Sequence, residues 1–181
     1  MTFLIMTHLN IEIKAHCANP GKVRSMLETQ QASYIGLDNQ VDTYFKVKNG
    51  RLKLREGNIE RALIHYNRPD KAGPKPSTVS LYKISSDAEL KGLLSAALEV
   101  LVVVDKQREI YFIDNIKFHI DKVKDLGDYI EIEAIDKDGT IGEEKLHKQC
   151  RRFMDLFHIT EADLVQSSYS DLLLEQQAQA S

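Results

Sequence analysis

The sequence lacks most of the features that place a protein quickly. Its 181 residues hold two cysteines, Cys17 and Cys150, too few and too isolated for a disulfide framework or a zinc site. That fits a reducing compartment, with both thiols as inert, small core residues. No run approaches the ~20 apolar residues of a membrane span. The apolar opening Met1-Thr2-Phe3-Leu4-Ile5-Met6 is short and has neither a basic n-region nor a cleavage pattern. A strong charge of one sign is missing too. The formal net charge is −3, which gives a global nucleic-acid-binding role no support, so any basic site must be local. No internal repeat is evident. The expectation is a cytoplasmic protein without membrane or nucleic-acid partners, monomer or homodimer. Residues 1–174 would form a single domain with a real core, followed by a frayed tail over 175–181.

What the sequence does have is alternation. In Tyr129-Ile130-Glu131-Ile132-Glu133-Ala134-Ile135, Ile130, Ile132 and Ala134 share one face and Tyr129, Glu131 and Glu133 the other, the period of a β-strand. Carboxylates at i and i+2 of a strand lie roughly 7 Å apart at about 3.3 Å per residue. They repel unless a metal ion, basic partners or water intervene. Leu9 to His16 repeats the arrangement, with Ile11, Ile13 and Ala15 on one face and Asn10, Glu12, Lys14 and His16 on the other.

The chain between and beyond these strands reads as hairpins with helices at the start, middle and end. A strand from about His8 to Cys17 precedes a helix with Asn19 as N-cap and Pro20 at its first position. Val23, Met26 and Leu27 form the helix's apolar stripe, and Gly36 is its expected stop. Strands follow over 40–47, 51–56, 62–68 and 78–84, with Asn49-Gly50 as a hairpin turn. The stretch Asp70 to Pro76, with its glycine and two prolines, is a loop. Ser86-Asp87-Ala88-Glu89 has the capping-box pattern, so a helix runs from Asp87 to about Leu98. Strands over 101–112, 116–121 and the acidic strand come next. A helix from Glu143 to Phe157, a short helix at Thr160 to Asp163 and a last helix from Ser170 complete the chain.

Strand after strand carries ionisable groups on one face: Glu12 and Lys14, Lys53 and Arg55, Lys106 and Arg108, His119 and Asp121, Glu131 and Glu133. The opposite faces are aliphatic. An open sheet would show the charges to water, whereas a closed barrel would gather them in its lumen. Such a lumen would offer acidic groups to a hard cation and Arg and Lys groups to phosphate oxygens. Phosphoryl or nucleotidyl chemistry needs that combination.

These residues resemble a family. Asn10-Ile11-Glu12-Ile13-Lys14 is similar to the N-terminal Glu-x-Glu-x-Lys signature of the CYTH superfamily, the triphosphate tunnel metalloenzymes, which include class IV adenylate cyclases and thiamine triphosphatases. The resemblance continues through Gln40-Val41-Asp42-Thr43-Tyr44-Phe45, Gly50 to Glu56, Tyr66 with Arg68-Pro69, Val104-x-Lys106-x-Arg108, Asp121-x-Val123-x-x-Leu126-Gly127 and Glu131-x-Glu133. Each piece is weak alone, but the ordered set is specific. The Gln40 to Phe45 stretch and Ser168 to Leu173 resemble the class IV cyclase-like branch most.

The resemblance implies an α+β fold, an eight-stranded, mainly antiparallel β-barrel with helices packed outside and a triphosphate in its tunnel. Matched by motif, Glu12, Glu131 and Glu133 would be metal ligands for Mg²⁺ or Mn²⁺. Lys14, Lys53, Arg55, Arg68, Lys75, Lys106 and Arg108 would hold phosphates. Asp121 and Lys14 would be catalytic, Asp121 sitting near the reacting phosphorus as base or second metal contact. Tyr44 and Tyr66 stand second. The signature's first acidic position is Asn10, whose amide oxygen can ligate a hard cation but brings no charge. That substitution implies weaker metal binding, or one ion in place of two.

The substrate implied is a triphosphate compound: ATP, thiamine triphosphate or inorganic triphosphate. The reaction implied first is that of a class IV adenylate cyclase, ATP to cyclic AMP and pyrophosphate; the alternative is a triphosphatase releasing orthophosphate from thiamine triphosphate or inorganic triphosphate. A module that binds a nucleotide or polyphosphate without turnover, and a purely structural β-domain, are the rival readings. His119 reads as structural or solvent-exposed, and Tyr34, Tyr111 and Phe112 as packing.

Overall fold

The computed structural model describes residues 9–67, 78–84 and 88–180. Eight strands form one sheet in the order β1-β8-β7-β6-β2-β3-β4-β5, and every pairing is antiparallel. The strands are β1 (Leu9–His16), β2 (Ser33–Phe45), β3 (Arg51–Glu56), β4 (Arg61–Asn67), β5 (Thr78–Lys83), β6 (Val100–Ile113), β7 (Ile116–Val123) and β8 (Gly127–Asp136). The helices are α1 (Pro20–Thr29), α2 (Ala88–Ala97), α3 (Glu143–Phe157) and α4 (Tyr169–Gln179), with a 3-10 turn at Glu161–Asp163. The sheet curls around a cavity of about 1630 Å³. Among the described residues β1 and β5 remain its edges.

The alternation of the strands decides which face is which. Ile11, Ile13, Ala15, Ile116, Phe118, Ile120, Ile130, Ile132 and Ala134 lie on the convex side. They form one apolar cluster with Val23 and Leu27 of α1 and with Leu146, Cys150, Phe153 and Phe157 of α3. Phe118 meets Phe153 edge to face at 4.7 Å, a geometry the ring quadrupole favours. The main core therefore sits outside the sheet, and the concave face is free to be polar.

Local chemistry sets the boundaries. The Asn19 side chain accepts from the Lys22 backbone N–H at 3.0 Å, capping α1 ahead of Pro20, whose missing N–H costs nothing there. Helix α3 starts where the Asp136 carboxylate collects the backbone N–H groups of Gly139, Ile141 and Gly142, which hold its pKa below the usual carboxylate value. Acidic Glu143 and Glu144 in its first turn suit the helix dipole.

Two boundaries differ from the sequence reading. Gly36 does not stop α1, which ends at Thr29. It lies inside β2, at a register shift against β6. Its φ of +146° is one that residues with a Cβ rarely adopt, and a Cβ there would come within 2.9 Å of the Ile59 side chain. Helix α4 runs on to Gln179, past the Glu175 expected to begin the tail. It also departs from the expected exterior packing. Tyr169 and Leu173 join Tyr44, Tyr66, Val102, Val104, Val123 and Tyr129 in a second apolar cluster, so α4 closes one end of the lumen. The Ser168–Asp171 capping box starts the helix, and Arg51 of β3 holds Asp171 at 2.9 Å. Ser86 and Asp87 of the capping box expected for α2, Arg68 and the loop containing Lys75 lie outside the described residues.

Candidate functional site in the lumen

One wall of the lumen is basic. Strand β2 lies between β3 and β6, and its inward residue Asp42 is 1% exposed. Asp42 accepts from Arg55 Nε at 2.8 Å and Nη2 at 2.9 Å, from Lys53 Nζ at 2.9 Å and from Lys106 Nζ at 2.9 Å. Burial alone would push its carboxyl up, but Arg55, Lys106 and Lys53 hold it well below the usual range. Lys53, Arg55 and Lys106 thus gather on a single carboxylate, leaving local positive charge in excess. Lys106 registers that excess. Burial drives its ammonium down, Asp42 pulls it back, and neighbouring Arg55, Arg108 and Lys53 push it down again, to about 7.

The opposite wall is acidic. The antiparallel register of β1 with β8 sets Glu12 opposite Glu133 and Lys14 opposite Glu131. Glu133 carries the strain of this wall. Burial and then the Glu12 charge raise its carboxyl to about 7. The Asn10 Nδ2 donates to Glu133, while Asn10 Oδ1 is buried with no hydrogen-bond partner among the described residues.

Glu131 belongs to neither wall alone. It accepts from Arg108 Nη2 at 2.7 Å and from His119 Nδ1 at 3.1 Å, and Lys14 Nζ stands 3.5 Å away. Burial pushes its carboxyl up, and Arg108, His119 and Lys14 bring it well below the usual range. His119 is driven down to about 4 by burial and by Arg108. Its ring is therefore neutral at pH 7, with Nδ1–H donating to Glu131.

Asp121 accepts from Arg108 Nε at 2.7 Å, from Arg108 Nη2 and from the Tyr169 hydroxyl at 2.8 Å. It is fully buried, behind Arg108. Lys14 stands 4.0 Å above the Tyr169 ring and 3.4 Å from the Ser167 carbonyl. Across the lumen, Glu60, from the turn between β3 and β4, accepts from Arg55 Nη1 at 2.9 Å and from Lys117 Nζ of β7 at 2.6 Å.

Among the described residues, no group of three or more His, Cys, Asp or Glu side chains comes together to hold a metal ion. Glu12, Glu131 and Glu133 are therefore not a preformed trio, because Arg108, His119 and Lys14 engage Glu131. What remains fits a single hard cation. Glu12 and Glu133 supply carboxylate oxygens and Asn10 a buried, unpartnered amide oxygen, the donor type that Mg²⁺ and Mn²⁺ prefer.

The structure thus brings Glu12, Lys14, Lys53, Arg55, Lys106, Arg108, Glu131 and Glu133 to one cavity. It places Asp121 next to that cavity rather than on it. Sequence reasoning missed Asp42 and Glu60, and it gave Lys117 no role. Asp42 alternates correctly with the lumen face, so its position was readable. That three cations would converge on it depends on pairing β2 with both β3 and β6, which no single strand reveals.

A curled antiparallel sheet thus surrounds a lumen with one basic and one acidic wall. The chain belongs to the CYTH domain family, whose model matches residues 8–169. Solved structures share the fold. The PH1012 protein from Pyrococcus horikoshii OT3 aligns over 90% of this chain and 98% of its own, with 22% identity and a TM-score of 0.76. A Vibrio parahaemolyticus protein provisionally described as an adenylate cyclase aligns over 91% of this chain and 97% of its own, with 19% identity and a TM-score of 0.72. A Hippeastrum protein described as having a dominant triphosphatase activity aligns over 93% and 96%, with 12% identity and a TM-score of 0.58. No curated protein sequence matches the chain.

Proposed function

We propose that the protein is a divalent-metal-dependent enzyme that cleaves a triphosphate: water attacks the terminal phosphorus, the bond from that phosphorus to its bridging oxygen breaks, the remaining diphosphate leaves, and the transferred phosphoryl group is released as orthophosphate. The observation that carries this reading is the excess of buried positive charge around Asp42 facing the Glu12–Glu133 pair. Arg55, Lys53, Lys106, Arg108 and Lys14 would hold the phosphate oxygens, each charge-assisted contact being stronger in a dry site than in water. Glu12, Glu133 and Asn10 would hold one Mg²⁺ or Mn²⁺, which neutralises charge developing on the phosphate oxygens when bound. In this reading Asp121 orients Arg108 and is not the base, since Arg108 and Tyr169 already donate to it.

The second reading is the class IV cyclase reaction, in which the 3′-hydroxyl of ATP attacks the α-phosphorus and pyrophosphate leaves. Leu81 of β5 supports it: paired with Ile64 on the inner face and 54% exposed, it lines the cavity and offers a purine an apolar surface.

The test incubates the protein with ATP, thiamine triphosphate and inorganic triphosphate, with Mg²⁺ or Mn²⁺ and with chelator. Orthophosphate that needs metal and disappears in Glu133→Gln is the expected result. Metal-dependent cyclic AMP with pyrophosphate would establish the second reading instead. No turnover of any substrate, with Glu133→Gln behaving like the parent, would leave a binding module.

A further inference from the structure

The turn between β3 and β4 is built to hold one carboxylate in the lumen. Asp38 of β2 is fully buried, and its Oδ1 and Oδ2 accept from the backbone N–H groups of Ile59 at 2.8 Å and Glu60 at 2.9 Å. Gln40 Nε2 donates to Asp38 at 2.7 Å and to Glu60 at 3.2 Å. Gly57 makes room for this clamp. A Cβ there would lie 2.6 Å from both Asp38 Oδ1 and the Glu60 carbonyl oxygen. The backbone of Glu60 is thus fixed, and its side chain reaches Arg55 and, across the lumen, Lys117 of β7. Strands β7 and β3 are not neighbours, with β6 and β2 between them. The Glu60–Lys117 pair is therefore a strut across the cavity rather than a contact along the wall.

The strut stands at the end opposite α4. Asp121, under Tyr169, and Lys117, in the strut, are separated by four residues of β7, about 13 Å at about 3.3 Å per residue. A linear phosphate chain in this lumen runs between the Tyr169 plug at one end and the Glu60–Lys117 strut, which crosses its path, at the other.

We propose that Glu60 is a length stop, a specificity-determining residue that admits a linear triphosphate and rejects tetra- and longer polyphosphates, with Asp38 as the residue that positions it. This rests on the phosphate-binding reading of the lumen given above. It goes further in naming what bounds the ligand. Binding is measured by calorimetry with inorganic triphosphate and tetraphosphate at one fixed free Mg²⁺ concentration, so the readout does not depend on turnover. Wild type should bind triphosphate at least tenfold more tightly than tetraphosphate. Glu60→Gln should bring the two within about twofold while leaving triphosphate affinity within a few fold. Asp38→Asn should relax the ratio in the same direction without altering any cavity cation.

Wild type binding both chains equally would overturn the length stop and leave the phosphate-binding site standing. So would an unchanged ratio in a Glu60→Gln variant that melts like wild type. Wild type binding neither would overturn both. If Glu60→Gln fails to fold, Asp38→Asn decides, and an unchanged ratio there overturns the length stop.

Discussion

Lys106 belongs to the basic wall and Glu133 to the acidic one, and both are drawn to about 7. An ammonium comes down to that value and a carboxyl goes up to it. Burial acts on each, but the neighbours differ. Around Lys106 the excess is Arg55, Arg108 and Lys53. Around Glu133 it is Glu12. Each wall would be relieved by a ligand of the opposite charge, the basic wall by a polyanion and the acidic wall by a hard cation. Glu131, paired with Arg108, His119 and Lys14, lies where the two walls meet and already has its counter-charges.

The largest way to break this comparison is Asp42→Asn. It leaves Lys53, Arg55 and Lys106 without their shared carboxylate, and breaking a buried pair from one side costs about 3–5 kcal/mol. Urea denaturation should show that loss, and inorganic triphosphate should restore part of it. A variant as stable as the parent would mean the basic wall is already wet.

The acidic wall responds in the opposite direction. Glu133 keeps its proton up to about pH 7 in the folded chain but releases it near 4.5 when unfolded. Between those values the folded state binds more protons, so stability falls as pH rises through the window. Without metal, Glu133→Gln should therefore be more stable than the parent at pH 8, by roughly 3 kcal/mol, with the difference nearly gone near pH 4.5. Mg²⁺ should raise the melting temperature of the parent more than that of the variant. A variant less stable at pH 8 would contradict the charge conflict.

A smaller effect sharpens the contrast. Asn10→Glu adds a carboxylate to the acidic wall. Mg²⁺ affinity, read by calorimetry, should rise about tenfold, roughly 1.4 kcal/mol. Unchanged affinity would remove Asn10 from the cation seat.

Much of this was legible in the residues. Alternation assigned the faces of β1, β7 and β8 because one face of each is aliphatic and packs on α1 and α3. The bounds of α3, Glu143 to Phe157, followed from its apolar spacing. Two kinds of fact were not legible. Gly36 looked like punctuation because glycine usually is, and only the shifted pairing with β6 turns it into a bulge within a strand. Charges on one face can be counted from sequence, but their partners cannot. Asp42 and Glu60 owe their roles to strands brought together by curvature, and Tyr169 owes its place over Asp121 to a helix that turns inward.

The pairing of β1 with β8 also sets an order in time. Asp42, Lys53 and Arg55 lie on a hairpin whose strands are close in the chain, while Glu12 and Glu133 must meet across most of the sequence. Contacts between distant segments form late, because loop closure must come first. A folding chain therefore assembles its excess of positive charge before the carboxylates opposite it are in place. Polyphosphate present during refolding would find the basic half ready first, and would act on the rate of folding as well as on the finished protein.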